Sequence, residues 1–372
     1  MRSHCDVVVI GGGVIGTSVA YHLASQGSTV TIIERDSIAS HASGFSGGLL
    51  NPTSETGNLV PLHHQSFEMH KQLLETVQEE SGVDAQVIYM PHIELALTEE
   101  DVPFQRTELE RISEFLKFKS EWLEPEDIWK LEPRISKDIF GGVLVEDVII
   151  LDSYNFTLAM SAAAEKRGVE ILLREATDIV YEKDRAVGVM IGQDQISCDA
   201  VVMALGPWTG AASLWTDIDI PIVPQKGELV RLEGLDPPLG FHLRAYHGDN
   251  TCAVYQKSDG LVWLGATNVD GSGFDTSLSA EALEKISTTA IRILPELESH
   301  KLVLQTACLR PVTPDKDPIL GRVSGKEALF IATGTGGQGI LLSPVVGKAI
   351  ADLVSTGETS IDINQFSLER FS

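Results

Sequence analysis

The sequence predicts an α/β fold in which a Rossmann-like domain is joined to a second domain built on an antiparallel sheet. Three observations carry this prediction. The chain begins with a strand, a glycine turn, a helix and a second strand. Its middle contains many short strand-like runs. Near its end there is again a strand, followed by a glycine cluster and a helix. A chain of 372 residues is long for one domain and short for three, so two domains are expected.

The first 34 residues have the pattern of a βαβ unit. The run DVVVI (6–10) is typical of a parallel strand that is buried on both faces. Segment 14–27 has apolar residues on one face and ends in a glycine, which predicts a helix, and a second strand is predicted over 29–34. The turn before the helix has the spacing G-x-G-x-x-G, filled by Gly11, Gly13 and Gly16.

Each part of this unit suits a dinucleotide. Gly11 permits the tight turn, Gly13 lets the backbone approach a pyrophosphate, and Gly16 allows the helix to pack closely on the strand. The helix N-terminus offers unpaired N–H groups to the phosphates. Glu34 ends the second strand, where it can accept hydrogen bonds from ribose hydroxyls. The unit therefore predicts dinucleotide binding, and the acid at position 34 argues against NADP.

Two further segments indicate which dinucleotide is bound. The Gly- and Ser-rich segment 40–52 follows the βαβ unit directly and could wrap a second part of the cofactor. Near the end of the chain, four glycines lie between a strand and a helix: Gly334, Gly336, Gly337 and Gly339. A flavin gains negative charge on reduction, which the positive end of such a helix would stabilise. These segments favour a flavin.

Composition and charge narrow the class of protein. Lys and Arg number 28 against 53 Asp and Glu, a net charge of −25, so nucleic acid is not an expected partner. The four cysteines form no C-x-x-C pair, which favours a reducing compartment and argues against zinc. We expect no metal, and we interpret His63, His64 and His70 as loop or helix-surface residues. Because the first strand begins by residue 6 and no apolar run approaches a membrane span, we expect a cytoplasmic protein without a signal peptide or a membrane span.

Four segments together resemble one enzyme family: VVVIGGGVIGTSVAYHLASQGSTVTIIER, VVMALGPWTG, LRPVTPDKDPILG and FIATGTGGQGILLSPVVGKAIADL. The chain is similar, along nearly its whole length, to the FAD-dependent amino acid and amine oxidases, which include D-amino acid oxidase, sarcosine oxidase and glycine oxidase. It is most similar to glycine oxidase. The resemblance implies a discontinuous FAD-binding domain of the glutathione-reductase type and a sheet-based substrate domain that covers the flavin. The implied boundaries are 1–84, 146–215 and 306–372 for the FAD-binding domain and 85–145 and 216–305 for the substrate domain.

The resemblance also implies site residues. Arg310 matches the arginine that grips the substrate carboxylate. Cys252 falls at the position where family members commonly have a tyrosine that assists carboxylate binding. The nearby Tyr246 and Tyr255 are candidates for that role. Cys308 aligns with the cysteine that tethers FAD in sarcosine oxidase, whereas glycine oxidase has a glycine there, and we favour a small buried residue over a tether. The cofactor-binding positions implied by the glycine motifs and the family are Gly11, Gly13, Val14, Ile15, Gly16, Glu34, Arg35, Ala42, Ser43, Gly47, Gly48, Leu49, Thr177, Gly206, Gly334, Gly337, Gln338, Gly339, Ile340 and Leu341.

The implied reaction is FAD-dependent oxidation of a small amino acid or N-substituted glycine to its imine, with hydride transfer to the flavin and oxygen as acceptor. Two alternatives stay open: a dehydrogenase that passes electrons to a quinone or a partner protein, and a flavin-bound assembly factor without turnover. Hydride transfer needs a neutral amine and good geometry more than acid–base residues. On local spacing, Arg310 could instead pair with Asp315 or Asp317. The expected partner is a small amino acid or amine substrate, and a homo-oligomer is left open.

Overall fold

The computed structural model describes residues 4–53, 57–116, 118–247 and 250–372. Its strands are, in chain order, β1 (His4–Ile10), β2 (Val30–Glu34), β3 (Leu49–Leu50), β4 (Ile88–Ala96), β5 (Ser120–Leu123), β6 (Gly141–Ile150), β7 (Glu170–Leu173), β8 (Asp178–Glu182), β9 (Arg185–Ile191), β10 (Asp194–Met203), β11 (Val223–Leu232), β12 (His242–His247), β13 (Asn250–Gln256), β14 (Val262–Gly265), β15 (Leu302–Val312), β16 (Ile319–Arg322) and β17 (Leu329–Thr333). Its helices are α1 (Val14–Ser25), α2 (Ala42–Phe45), α3 (Val60–Ser81), α4 (Asp101–Glu110), α5 (Pro125–Leu131), α6 (Ser153–Lys166), α7 (Ser213–Thr216), α8 (Ala280–Ile293) and α9 (Gly339–Thr356).

The first sheet carries the Rossmann-like part of the chain. Its strand order is β16-β17-β10-β1-β2-β7, and it is extended by β9, which pairs antiparallel with β10, and by β8, which pairs antiparallel with β9. Strands β17, β10, β1, β2 and β7 run parallel. Residues 7–10 of β1 are at most 2% exposed, because core side chains cover both faces of this strand. The predicted strand, glycine turn, helix and strand at the start of the chain are confirmed.

Helices α1, α3, α6 and α9 pack against one another beside this sheet. The α1 and α9 helices approach closely, since the Ser18 hydroxyl of α1 donates to the Ser343 carbonyl oxygen of α9 at 2.7 Å. Gly347 makes this approach possible, because a Cβ there would collide with Ser18. The close contact fixes the N-terminal ends of both helices relative to the sheet.

The segment Gly336–Thr356, which contains α9, is long and apolar enough to cross a membrane by length and composition alone. The expectation that no apolar run approaches such a length is therefore wrong for this segment. Its most apolar window is 61% buried inside the protein, where α1 and α3 pack against α9. The segment is a core helix of the fold.

The second sheet has the order β15-β11-β14-β13-β12-β4-β6-β3, with β5 paired to β6. Its pairs are antiparallel except for β12 with β4. One face packs on α8, which contributes Ile286, Ala290 and Ile293 to a buried cluster. The opposite face carries the smaller cluster that includes Leu229, Tyr255 and Trp263, and this face borders the cleft described below.

Two strands of the second sheet cross the domain boundaries expected from sequence. β6 continues past residue 145, and β15 continues past residue 305. The strand-like segment 86–98 contains one strand, β4. We keep the division into an FAD-binding and a substrate domain as a proposal, with both strands belonging whole to the second sheet.

The interpretation of His63 and His70 as loop or surface residues is wrong. Both lie on α3 and are 0% exposed, because this face of the helix packs against α9. The His70 Nε2 lies 3.0 Å from the carbonyl oxygen of Ile340. His64, by contrast, is exposed.

Candidate active site

A long cleft lies at the carboxyl ends of β1, β10 and β17, where ligands bind in open α/β sheets. It consists of two adjoining cavities of about 960 Å³ and about 1140 Å³. The two cavities share six lining residues: Gly13, Ala42, Ser43, Ala204, Gly206 and Pro207. They therefore form one continuous cleft. We call the part lined by Glu34 the first cavity and the part lined by Arg310 the second cavity.

The glycine turn after β1 shapes the first cavity. Gly11 has a φ of +115°, and a Cβ there would lie 2.8 Å from the carbonyl carbon of Ala204. A Cβ at Gly16 would collide with the carbonyl oxygen of Gly11, so α1 meets the strand more closely than any larger residue permits. At the N-terminus of α1, the Val14 amide donates to Ser43 Oγ at 2.9 Å. The glycine turn, the N-terminus of α1 and the 40–52 segment thus meet at the first cavity.

Glu34 lines the first cavity with its carboxylate held in a fixed position. One carboxylate oxygen accepts from the Gly12 amide at 2.7 Å, and the other accepts from the Asp36 amide at 2.8 Å. Each carboxylate oxygen has a second lone pair, so the group retains acceptor capacity for ribose hydroxyls. This geometry suits the role predicted for Glu34.

Two tryptophans that the sequence reasoning missed also line the first cavity, Trp208 and Trp215. The guanidinium of Arg35 lies 4.2 Å from the ring centroid of Trp208, a cation–π contact. Arg35, a predicted cofactor residue, and Trp208 thus form part of the wall of the first cavity together. Trp208 stands two residues after Gly206, which was singled out, and that proximity is the signal that could have found it.

Thr177 does not line either cavity. Its side chain is exposed and its amide donates to the Met190 carbonyl at 2.9 Å, whereas Glu175 and Ala176 border the first cavity. Of the other predicted cofactor positions, those that line neither cavity are Gly16, Gly48, Gly334, Gln338 and Leu341. The remaining predicted cofactor positions all border the cleft.

Arg310 of β15 lines the second cavity, facing the loop that precedes α9. Its Nη1 donates to the Thr267 carbonyl at 3.1 Å and to the Asn268 side-chain oxygen. Among the described residues no carboxylate lies within 4.0 Å of it. Asp315, one of the acids considered as its partner, pairs instead with Arg370 at 2.7 Å. Burial lowers the pKa of Arg310, but a guanidinium stays charged in proteins.

Two glycines make room for this guanidinium. A Cβ at Gly227 on β11 would lie 2.5 Å from the Arg310 Cζ. A Cβ at Gly337, in the turn before α9, would lie 3.8 Å from the Arg310 Cδ. Arg310 therefore lies between the second sheet and the glycine turn, and no carboxylate of the described residues pairs with it although the protein has a net charge of −25.

Cys308 lines the same cavity two residues before Arg310. Burial raises the pKa of its thiol, and the opposing effect of Arg310 is smaller. The thiol is therefore protonated at neutral pH, which disfavours a nucleophilic thiolate.

The two tyrosine candidates for the second substrate contact, and the nearby Cys252, lie in different places. Tyr255 lines the second cavity, is 3% exposed, and donates its hydroxyl to the Gly47 carbonyl at 3.1 Å. Tyr246 lies outside both cavities, where its hydroxyl accepts from Arg244 at 2.6 Å. Cys252 faces the other side of the sheet, within the cluster that packs on α8. Tyr255 is thus the one of the three in the cleft.

A further buried residue of the second cavity, His242, was not predicted from sequence. It lies at the start of β12 and is 0% exposed. Its neighbour in the sheet is His92 of β4, 150 positions earlier in the chain. No local motif marks either histidine, so only the strand pairing reveals them.

Potential metal ligands converge elsewhere. Among the described residues, His4, Asp6 and Asp199 are the single group close enough to hold an ion. They lie around the first residues of β1, at the opposite end of the strand from the cleft, and exposed acidic groups are common without a metal.

The cleft fits FAD. It offers a helix N-terminus at a glycine turn, a fixed ribose acceptor in Glu34, and a second cavity bounded by the N-terminal end of α9. The family model named DAO, described as FAD dependent oxidoreductase, matches residues 6–353. The chain belongs to this family.

Relatives within the family match along the whole chain. Glycine oxidase of Geobacillus kaustophilus (strain HTA426) is 30% identical, with 100% of this chain and 98% of that protein covered. Glycine oxidase of Bacillus subtilis (strain 168) is also 30% identical, with the same coverage. The crystal structure of glycine oxidase from Geobacillus kaustophilus superposes with a TM-score of 0.92 at 29% identity, covering 99% of each chain. The predicted fold class and the predicted cofactor, FAD, are confirmed, and the chain is an FAD-dependent oxidoreductase.

Proposed function

We propose that this oxidoreductase oxidises a small α-amino acid or an N-substituted glycine to its imine, with oxygen as the final acceptor. The observation that carries the proposal is Arg310, a half-buried cation without a carboxylate partner among the described residues, on the wall of the second cavity. A charge partly withdrawn from water is costly unless it is paired, so this position suits an anionic ligand group. The carboxylate of an amino acid is such a group.

Arg310 would bind the carboxylate by two parallel hydrogen bonds. Its Nη1 contacts with Thr267 and Asn268 hold the guanidinium in plane, which keeps the fork oriented toward the cavity. Bonds of this charge-assisted kind contribute about 1.5–3 kcal/mol. Because one end of the substrate is fixed, the α-carbon is presented in one orientation, and positioning is the main source of rate in such a site.

The turn before α9 would favour electron transfer into the cleft. Gly336, Gly337 and Gly339 border the second cavity, and α9 begins at Gly339 with no acidic residue in its first turn. The positive end of this helix therefore stabilises negative charge in the second cavity. When bound, FAD supplies the two-electron acceptor for hydride from the substrate α-carbon.

The name glycine oxidase of the relatives supports a small amino acid, and both relatives match this chain from end to end. We propose a cytoplasmic location as well. The four cysteines are free, as expected in a reducing compartment.

Anaerobic mixing of the holoenzyme with a panel of amines and amino acids tests the reaction. Small amino acids and N-substituted glycines are expected to bleach the flavin absorbance, and re-aeration is expected to yield one peroxide per flavin. Bleaching without peroxide would favour the dehydrogenase alternative. No bleaching by any member of the panel would contradict the proposal and favour the assembly factor.

The attachment of FAD has a separate test. Because the half-buried Cys308 thiol stays protonated, we expect FAD to be bound without a covalent bond. Acid precipitation is then expected to leave the yellow colour in the supernatant both for the wild-type holoenzyme and for the variant Cys308→Ser. Colour that stays in the wild-type pellet and leaves the Cys308→Ser pellet would show a tether.

A further inference from the structure

The segment 266–279, which we call the strap, joins β14 to α8 and begins beside β11. Val269 of the strap exchanges two backbone hydrogen bonds with Lys226 of β11, at 2.8 and 2.9 Å. Successive side chains of an extended segment point to opposite faces, so Asn268 and Gly227, the neighbours of this pair, share the other face of the sheet. Gly227 lines the second cavity, and Asn268 therefore lies on the cavity side of β11.

The side chain of Arg310 crosses β11 and ends at the strap. Arg310 belongs to β15, on one side of β11, and the strap lies on the other side. A Cβ at Gly227 of β11 would lie 2.5 Å from the Arg310 Cζ, so the guanidinium passes directly over this glycine. Beyond the glycine, Arg310 Nη1 donates to the Thr267 carbonyl oxygen and to the Asn268 side-chain oxygen. The guanidinium thus ends against two neutral acceptors.

The strap is anchored from the opposite face of the sheet. Lys226 Nζ donates to the Ser277 carbonyl oxygen at 2.7 Å. The carboxylate of Glu228, which is fully buried, accepts from the amide of Ser279 at 3.1 Å and from its hydroxyl at 2.9 Å. A shift of the strap would leave these buried polar groups without partners, which is costly. The position of Asn268 is therefore fixed by contacts outside the cavity.

The two acids of the strap have partners other than Arg310. Asp270 accepts from Gln225 Nε2 at 2.8 Å, and Asp275 pairs with Lys226 Nζ at 3.3 Å. Hydrogen bonds from Ser277, together with Lys226, lower the pKa of Asp275, so this carboxylate is ionised at neutral pH. Lys226 and Gln225 thus hold both negative charges of the strap.

The acids that follow β15 are held in the same way. Asp315 pairs with Arg370 at 2.7 Å, and Asp317 accepts from Asn58 Nδ2 at 3.2 Å. The chain has 53 acidic residues, yet those closest in sequence to Arg310 and to Asn268 are bound by other groups. The side chain that contacts the guanidinium is an amide instead.

We propose that Asn268 is a specificity-determining residue, whose neutral amide orients Arg310 and leaves its positive charge free for one substrate carboxylate. The inference rests on the proposed function, because it concerns the charge that selects an amino acid over a simple amine. An amide oxygen accepts the same hydrogen bond as a carboxylate oxygen without cancelling the charge of the guanidinium. The substrate carboxylate then binds a cation for which no carboxylate of the described residues competes.

The variant Asn268→Asp tests the proposal, because it adds a charge and hardly changes the shape. Asn268 is exposed, so its substitution should leave the fold intact. The oxidised holoenzyme is titrated with acetate, the simplest probe that carries one carboxylate, and binding is followed by the flavin absorbance. We expect the Kd of acetate to rise by about tenfold or more, since the new carboxylate pairs with Arg310 and repels the ligand. Asn268→Ala, which only removes the orienting contact, should raise the Kd by about three- to tenfold.

The matched control is Asn364→Asp. It makes the same substitution at an exposed residue outside both cavities and should leave the Kd of acetate unchanged. An aspartate at position 268 retains the acceptor that orients Arg310, so a purely structural role predicts that Asn268→Asp is milder than Asn268→Ala. That order, or an unchanged Kd in Asn268→Asp, would overturn the proposal.

A second readout is the choice between substrates. In anaerobic flavin reduction, Asn268→Asp should lower the preference for glycine over methylamine by the same factor of about ten or more. The change should appear in the half-saturating concentration of glycine more than in its limiting rate, and an unchanged preference would contradict the proposal. If no amine or amino acid bleaches the wild-type flavin, the proposed function fails. If bleaching is normal and Asn268→Asp binds acetate as the wild type does, only the role of Asn268 fails.

Discussion

Replacement of Arg310 by methionine keeps most of the side-chain volume and removes the charge and the five donors. If Arg310 binds the substrate carboxylate, the loss of this charge-assisted contact should cost at least the value of one such hydrogen bond, about 1.5–3 kcal/mol of binding free energy. At 1.4 kcal/mol for each factor of ten, the substrate concentration for half-maximal flavin reduction should rise by about 10- to 150-fold. Arg310→Lys keeps the charge without the planar fork and should fall between the wild type and Arg310→Met.

The assay is stopped-flow reduction of the flavin under anaerobic conditions over a range of amino acid concentrations. Arg322→Met is the matched control, because Arg322 lies on β16 outside both cavities, over the ring of Phe330. An amine that lacks a carboxylate should be affected far less by Arg310→Met than the amino acid is. Unchanged half-saturation, or equal losses for the two kinds of substrate, would refute the role of Arg310.

Three other predictions concern the shape and charge of the site. Gly227→Ala should weaken amino acid binding in the same titration, because its Cβ would lie 2.5 Å from the Arg310 Cζ, whereas Gly240→Ala, where a Cβ meets open space, should not; normal binding in Gly227→Ala would contradict this. Gly16→Ala should yield protein with a reduced ratio of flavin to protein absorbance, because its Cβ collides with the turn that shapes the first cavity, and full flavin content would show that the turn tolerates the change. Burial lowers the pKa of Lys257 to about 8, whereas the pKa in the unfolded chain is about 10.4. The folded protein therefore bears the full stability cost of this buried charge below pH 8, and the cost disappears as the pH rises from about 8 to above about 10.4. Lys257→Met should therefore raise the Tm more at pH 7 than at pH 10, and an advantage that grows with pH would show the opposite linkage.

The cofactor half of the cleft was predictable because its signals are local. The glycine spacing after β1 and the acid at the end of β2 determine backbone geometry within a few residues, and Gly11 and Glu34 lie where the pattern placed them. Thr177 was expected at the cavity, but Glu175 and Ala176 line it, since spacing alone does not decide which residue of a short loop faces inward. Trp208 was missed because tryptophan is commonly buried in protein cores, and the sequence does not show that the loop places this one at the cavity.

The substrate-binding half of the cleft was harder to predict, because its residues are brought together by contacts between distant parts of the chain. Arg310 was found through a family resemblance rather than through its surroundings, and nothing in the sequence reveals that it rests on Gly227. The pair of His242 and His92 exists only because β12 and β4 are neighbours in the sheet. The buried positions of His63 and His70 were predictable, since both histidines share a helical face with the apolar residues Phe67 and Leu74.

The central claim is that the second cavity binds a small amino acid by its carboxylate and oxidises its amine. The most direct measurement is anaerobic reduction of the flavin by glycine and sarcosine compared with methylamine and dimethylamine, which carry the same amines without the carboxylate. We predict rapid bleaching by at least one of the two amino acids and none, or far slower bleaching, by its carboxylate-free partner. Equal bleaching by an amino acid and its partner amine, or no bleaching by either amino acid, would contradict the account.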